Sequence, residues 1–154
     1  MGVQPAAQRW PLLEQADALC RHRGVRLTEQ RRRVLEILWD LGRPAGAYEV
    51  LDRLKQGAPG AAPPTVYRAL EFLLTQGLVH RLESLNAYVG CHHPGQPHRS
   101  QFLICGDCGE VRELENGAVD LSLETLLQAE GFTPERRVIE VTGRCASCRR
   151  RAGR

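Results

Sequence analysis

Two Cys-x-x-Cys pairs, Cys105-Gly-Asp-Cys108 and Cys145-Ala-Ser-Cys148, constrain this chain more than any other feature. Each tight turn directs two sulfurs toward a common point, so together the pairs offer four thiolates to one tetrahedral Zn2+. The 36 residues between the pairs exceed a simple zinc ribbon, and a helix and a strand are expected to fill them. Such a site is closed and contributes folding energy outright. The alternatives are two unrelated redox or free-thiol pairs, or a disulfide framework. The first 20 residues lack the basic, apolar, small-residue order of a secretory leader. Six cysteines without an export signal are expected in the cytoplasm, where such pairs hold metal rather than disulfides.

At 154 residues, the chain makes one ordinary domain or two small ones. Its 42% hydrophobic and 25% charged content is that of a globular protein, and no run approaches the roughly 20 apolar residues of a membrane span. The net charge of +3 is unevenly spread: residues 1–86 carry 12 Lys/Arg against 9 Asp/Glu, residues 87–148 carry 5 against 9, and the tail Arg149-Arg150-Arg151-Ala-Gly-Arg154 adds 4 Lys/Arg. A basic first half hints at a nucleic-acid-binding module next to one that does not bind.

The first half reads as helices followed by a hairpin. Leu12, Leu13, Ala16, Leu19 and Cys20 share one helical stripe, and Gly24 stops it. Cys20 on that stripe is a small buried hydrophobe rather than a ligand. Thr28 caps a second helix, opened by Arg31, Arg32 and Arg33, with Val34, Leu35, Leu38 and Leu41 inward. A third helix runs from about Ala47 to Lys55, with Tyr48 in its first turn within reach of a phosphate. Pro63-Pro64 opens a fourth, whose buried stripe is Val66, Ala69, Leu70, Leu73 and Leu74. Thr65, Tyr67 and Arg68 lie in its exposed first turn, the part of a helix-turn-helix recognition helix that meets bases and phosphates. Alternating residues after Gly77 and again at Tyr88-Val-Gly-Cys91 signal a hairpin. The sum is a winged helix. A small α+β unit with no nucleic-acid role is the plainer reading of the same pattern.

Beyond Cys91 two short strands flank the first cysteine pair, at about 101–105 and 109–114. A helix follows with Val119, Leu123, Leu126 and Leu127 on one face, then a strand over Arg137–Thr142. About 60 residues form too small a core to stand alone without a metal, a partner subunit, or both. Cys91, His98 and Glu113 are left over from the four-cysteine set, which points to a second metal. Its fourth ligand is His80 from the hairpin, or His92 or His93. A closed set of nitrogen, sulfur and oxygen ligands leaves no open position for a substrate, so sensing fits better than catalysis.

The chain resembles the ferric uptake regulator (Fur) family, most closely its zinc uptake regulator branch. The likeness rests on Arg26-Leu-Thr-x-Gln-Arg31, Pro64-Thr-Val-Tyr-Arg-Ala-Leu70, Gly77-Leu-Val-His80 and Tyr88-Val-Gly-Cys91-His92. It continues through His98, Cys105-x-x-Cys108-Gly109, Gly131-Phe132 and Cys145-x-x-Cys148. The resemblance implies an α+β protein: an N-terminal winged helix-turn-helix domain, residues 1–86, and a small C-terminal α/β dimerisation domain, residues 87–154. It implies a structural zinc on Cys105, Cys108, Cys145 and Cys148, and a sensory zinc on His80, Cys91, His98 and Glu113, two Zn2+ per chain. In the iron branch a His-His-Asp-His run usually precedes the first cysteine pair, and here Pro97-His98-Arg99-Ser100 stands instead.

The expected function is a cytoplasmic, zinc-responsive repressor that binds double-stranded operator DNA as a homodimer and shuts off zinc-uptake genes. Arg31, Tyr48, Thr65, Tyr67 and Arg68 are its candidate DNA contacts. No enzymatic activity, small-molecule substrate or membrane is expected. A thiolate among the sensory ligands favours zinc over Fe2+, which sets aside an iron- or peroxide-responsive member of the family. A zinc-stapled metallohydrolase would need an open coordination position and a general base, and no His-Glu-x-x-His or comparable motif is present. A zinc-stapled protein-interaction module would show no salt-dependent DNA binding.

Overall fold

The computed structural model describes residues 6–95, 100–114, 117–134 and 137–153, with side chains from residue 10 onward. They fall into two compact units, Met1–Gln96 and Pro97–Arg154. The first contains α1 (Ala6–His22), α2 (Glu29–Leu41), α3 (Ala47–Lys55) and α4 (Pro63–Thr75), then β1 (Val79–Leu82) and β2 (Ala87–Gly90).

Local signals account for most of these limits. The Thr28 hydroxyl accepts a hydrogen bond from the Arg31 N–H at 3.4 Å, capping α2. Gly77, at φ +68°, ends α4, and the Leu78 N–H reaches back to the Leu73 carbonyl at 2.8 Å, the closure that a left-handed glycine makes possible. The two helical stripes that face each other most directly are Val34, Leu35 and Leu38 of α2 and Val66, Leu70 and Leu73 of α4, all buried. Val50, Leu51 and Leu54 of α3 complete that core, and Ala16 and Cys20 of α1 join it. Cys20 is fully buried as a hydrophobe, and burial pushes its thiol up.

The hairpin is pinned to the helices at two places. Ala45 and Tyr88 exchange backbone hydrogen bonds of 2.9 and 2.8 Å, which extends the wing by one rung. Trp39 of α2 lies against Gly90, and its indole N–H donates to the Cys91 carbonyl at 3.1 Å. A Cβ at position 90 would sit 2.4 Å from Trp39 Cδ1, so only glycine fits there. β2 pairs with β1 from Val79↔Gly90 to Leu82↔Ala87, so both strands of the hairpin belong to the first unit.

The second unit holds β3 (Gln101–Cys105), β4 (Val111–Leu114), α5 (Gly117–Ala129), β5 (Ile139–Gly143) and α6 (Ala146–Ala152). Its sheet has the order β4-β3-β5, with β3 antiparallel to β4 and parallel to β5. β4 begins at 111 rather than 109 because residues 106–108 form a turn and Gly109 adopts φ +74°. The core is thin: Phe102, Ile104 and Val111 are buried, and α5 buries no side chain fully. Leu123 and Leu127 are half-buried, while Leu121 and Leu126 are 70% and 63% exposed and Val141 of the edge strand β5 is 53% exposed. No described helix is long and apolar enough to cross a membrane.

Replacing Gly90 with alanine forces Trp39 or the hairpin to move. Gly90→Ala is expected to destabilise the first unit by about 1–3 kcal/mol, the usual cost of overpacking. Urea unfolding followed by Trp39 fluorescence measures it, and an unchanged midpoint would contradict the packing described.

Candidate functional site

Parallel pairing brings the four paired cysteines together. Cys105 is the last residue of β3 and stands opposite Gly143 of β5, and the Gly106 N–H donates to the Gly143 carbonyl at 2.9 Å. The first Cys-x-x-Cys turn therefore starts beside the segment that carries Cys145. Cys145 caps α6, its sulfur accepting the Cys148 N–H at 3.5 Å. The Cys145 N–H in turn donates to the Cys105 sulfur at 3.3 Å.

All four sulfurs lie within 4.8 Å of one another. A tetrahedral zinc with Zn–S bonds of about 2.3 Å needs its sulfurs about 3.8 Å apart, and the Cys108 and Cys145 sulfurs are separated by 3.8 Å. The donor set, its spacing and its closed geometry fit a structural zinc. Backbone N–H groups, first of Cys145 and then of Cys108, hold the Cys105 thiol down to about 6. At Cys108 the Glu110 N–H favours the thiolate, but the hydrogen bond to Cys105, burial and the two remaining thiols push it up to about 12. One thiolate forms readily and makes the next harder to form. A divalent cation removes that conflict.

The other expected ligands are placed less completely. His80 is half-buried on β1, opposite Val89. Cys91 follows β2 fully buried, its N–H on the Leu78 carbonyl at 2.9 Å. That pairing continues the hairpin register, so His80 and Cys91 stand on one face as diagonal neighbours. The His93 N–H donates to the Cys91 sulfur at 3.4 Å. Glu113 is half-buried on β4 of the second unit and accepts from the Ser100 hydroxyl at 3.4 Å. His98 lies outside the described residues. Burial, and then the neighbouring His93, push the His92 imidazole down, and its Nδ1 is buried with no hydrogen-bond partner among the described residues.

The expected DNA contacts divide in two. Burial of Val66, Ala69, Leu70 and Leu73 fixes the rotation of α4, which leaves Tyr67 47% exposed, Arg68 exposed and Thr65 half-exposed. Tyr48, in the first turn of α3, is 66% exposed. Arg31 is used inside the unit: its guanidinium stacks 3.7 Å from the Phe72 ring centroid and donates to the Arg26 carbonyl at 2.6 Å. Arg32 and Arg33 likewise pair with Asp17 and Glu36.

Three contributors escape a reading of the sequence. Trp39 holds the Cys91 carbonyl from 52 residues away, and Ser100 serves Glu113 across a strand pair; no local pattern marks either. The third is Arg151, whose Nη2 donates to the Cys148 sulfur at 2.9 Å. Its signal is its place in the arginine run, three residues after a cysteine on a helix.

Residues 22–142 match the family model described as the Ferric uptake regulator family. The chain is 47% identical over 138 residues to the Zinc uptake regulation protein of Escherichia coli K12, covering 89% of this chain and 81% of that protein. A zinc uptake regulator structure, complexed with zinc and DNA, is similar with a TM-score of 0.85 and 44% identity, over 94% of this chain and 97% of that one. The holo XcZur crystal structure is similar with a TM-score of 0.79 and 45% identity, over 90% and 96% of the two chains.

Cys105→Ser and Cys148→Ser each remove one thiolate from a site that joins two distant segments. Each is expected to abolish metal retention there and to destabilise the second unit by at least about 4 kcal/mol, within the range of a lost structural metal. Thermal melting with metal counting checks this. A variant that melts like the parent would contradict the four-cysteine centre.

Proposed function

Because the chain belongs to the ferric uptake regulator family, we propose that it is a zinc-responsive transcriptional repressor. Zinc-loaded, it binds double-stranded operator DNA as a homodimer and shuts off zinc-uptake genes; it is a regulator and not an enzyme, and it works in the cytoplasm, where the DNA is. The observation that carries this reading is the likeness to a zinc uptake regulator in complex with zinc and DNA, at 44% identity across 94% of this chain.

Each chain takes two Zn2+. The structural zinc is held by Cys105, Cys108, Cys145 and Cys148, and the support for it is the fit of their sulfurs to a tetrahedron. The sensory zinc is held by His80, Cys91, His98 and Glu113. Buried Cys91 beside His80 on one hairpin face supports the first two of these. A thiolate in that set favours zinc over Fe2+ and disfavours iron-based peroxide sensing. Zinc acts by binding the DNA-competent state better than the other, and its occupancy shifts the population by no more than that difference in affinity.

The winged helix, residues 1–86, is the DNA-binding domain. Its α4 enters the major groove, with Arg68 forking onto a guanine edge and Thr65, Tyr67 and Tyr48 meeting phosphate or base methyl groups. Arg31 joins them with the donors that Arg26 and Phe72 leave available. The second domain, residues 87–154, dimerises. Exposed Leu121, Leu126 and Val141 supply an apolar surface for the second copy to cover.

The test is a DNA-binding titration on the promoter fragment of a zinc-transporter gene from the same genome, across buffered free Zn2+, with Fe2+ and Mn2+ as controls. Binding that rises with Zn2+ alone is expected, and binding independent of metal, or driven by Fe2+ alone, would overturn the reading. In the same assay Arg68→Ala should lose about 1–3 kcal/mol on the operator and much less on unrelated DNA. An equal loss on both, with a shallower salt slope, would make Arg68 a phosphate contact.

A further inference from the structure

Three of the four clustered sulfurs are served by backbone N–H groups. Cys105 accepts from Cys145 at 3.3 Å, Cys145 accepts from Cys148 at 3.5 Å, and Cys108 accepts from Glu110. Among the described contacts, the Cys148 sulfur receives a side chain instead, the Arg151 guanidinium at 2.9 Å. Cys148 is buried and Arg151 is exposed, so the guanidinium approaches that sulfur from the solvent side. The neighbouring arginines do otherwise: Arg150 reaches the Ser147 hydroxyl at 3.4 Å, and Arg144 pairs with Asp107 at 3.2 Å.

Four thiolates around one Zn2+ carry a net charge of −2. Each N–H donated to a sulfur withdraws electron density, weakens the sulfur as a nucleophile and as a base, and lowers the proton's advantage over the metal. Arginine suits this place because it stays charged at every pH the protein meets and donates in a fixed fork. Spacing provides the reach, since residue i+3 on a helix lies over residue i. α6 ends at Ala152, one residue after Arg151, with Gly153 as its C-cap, so the contact lies in the last turn of the helix.

We infer that Arg151 is a positioning residue of the four-cysteine centre: it caps the Cys148 thiolate with a charged donor, slows zinc loss and shields that sulfur from electrophiles. The inference rests on the reading of the four cysteines as a zinc site. It assigns Arg151 a role other than DNA binding.

The experiment uses the full-length zinc-loaded dimer and compares Arg151→Ala, Arg151→Lys and Arg150→Ala with the parent. Zinc transfer to excess chelator is timed, and iodoacetamide labelling of Cys148 is followed by mass spectrometry. Arg151→Ala is expected to release its slow zinc at least about tenfold faster, as for other outer partners of metal ligands, and to label faster at Cys148. Arg151→Lys should fall between it and the parent, and Arg150→Ala should match the parent. Cobalt substitution in a Cys91→Ser background adds a readout that folding alone would not move. There the sulfur-to-cobalt charge-transfer bands should shift to lower energy in Arg151→Ala, because the Cys148 lone pairs lose their donor. Parental release rates and bands in Arg151→Ala, or equal acceleration in Arg150→Ala, would overturn the inference. A parent protein with no slowly released zinc would instead overturn the four-cysteine reading itself.

Discussion

The parallel pairing of β3 with β5 is the constraint on which the second unit depends. It sets Cys105 opposite Gly143 and so delivers the sulfurs at 105 and 108 to those at 145 and 148. Among the described residues of that unit the buried apolar set is small. A unit with so small a core gains little from hydrophobic burial alone. The thiolate cluster and a second subunit are the two means by which such a unit reaches a stable fold. Four clustered thiols resist joint ionisation because each thiolate raises the cost of the next, and a bound cation turns that repulsion into attraction.

The first unit is built differently. Its core is continuous across four helices and the hairpin, and needs no metal to close. The proposed link to sensing is the seam at the end of β2. Gly90 admits the Trp39 ring, the Trp39 indole fixes the Cys91 carbonyl, and the His93 N–H faces the Cys91 sulfur. Cys91 is thus held by α2, which packs directly on α4. As a proposed ligand, Cys91 held in this way would give a metal a defined position, and α4 is the helix proposed to read DNA.

Much of this was legible in the sequence where the signals are local. The Thr28 cap, the limits of α3 at Ala47–Lys55, the Pro63-Pro64 start of α4 and the Gly77 stop depend on residues a turn or less apart. The four cysteines were legible because metal geometry leaves few uses for two such pairs. What depends on distant partners was not. The apolar stripe of α5 announces a covered face without saying that the same chain fails to cover it, and Leu126 is exposed. The arginines opening α2 look alike in sequence, yet the Arg31 guanidinium stacks on Phe72, 41 residues away, while Arg32 and Arg33 meet Asp17 and Glu36.

Two zinc ions with separate tasks on one chain are the central proposal, and counting zinc in Cys91→Ser tests it most directly. Serine oxygen is a far poorer ligand for Zn2+ than thiolate, and the four-cysteine centre does not use Cys91. The variant should fold, dimerise and retain about one zinc per chain where the parent holds about two, and lose zinc-dependent DNA binding with the second. His92→Ala, by contrast, should keep both. A Cys91→Ser dimer that still holds two zincs and binds DNA as the parent does would contradict the account.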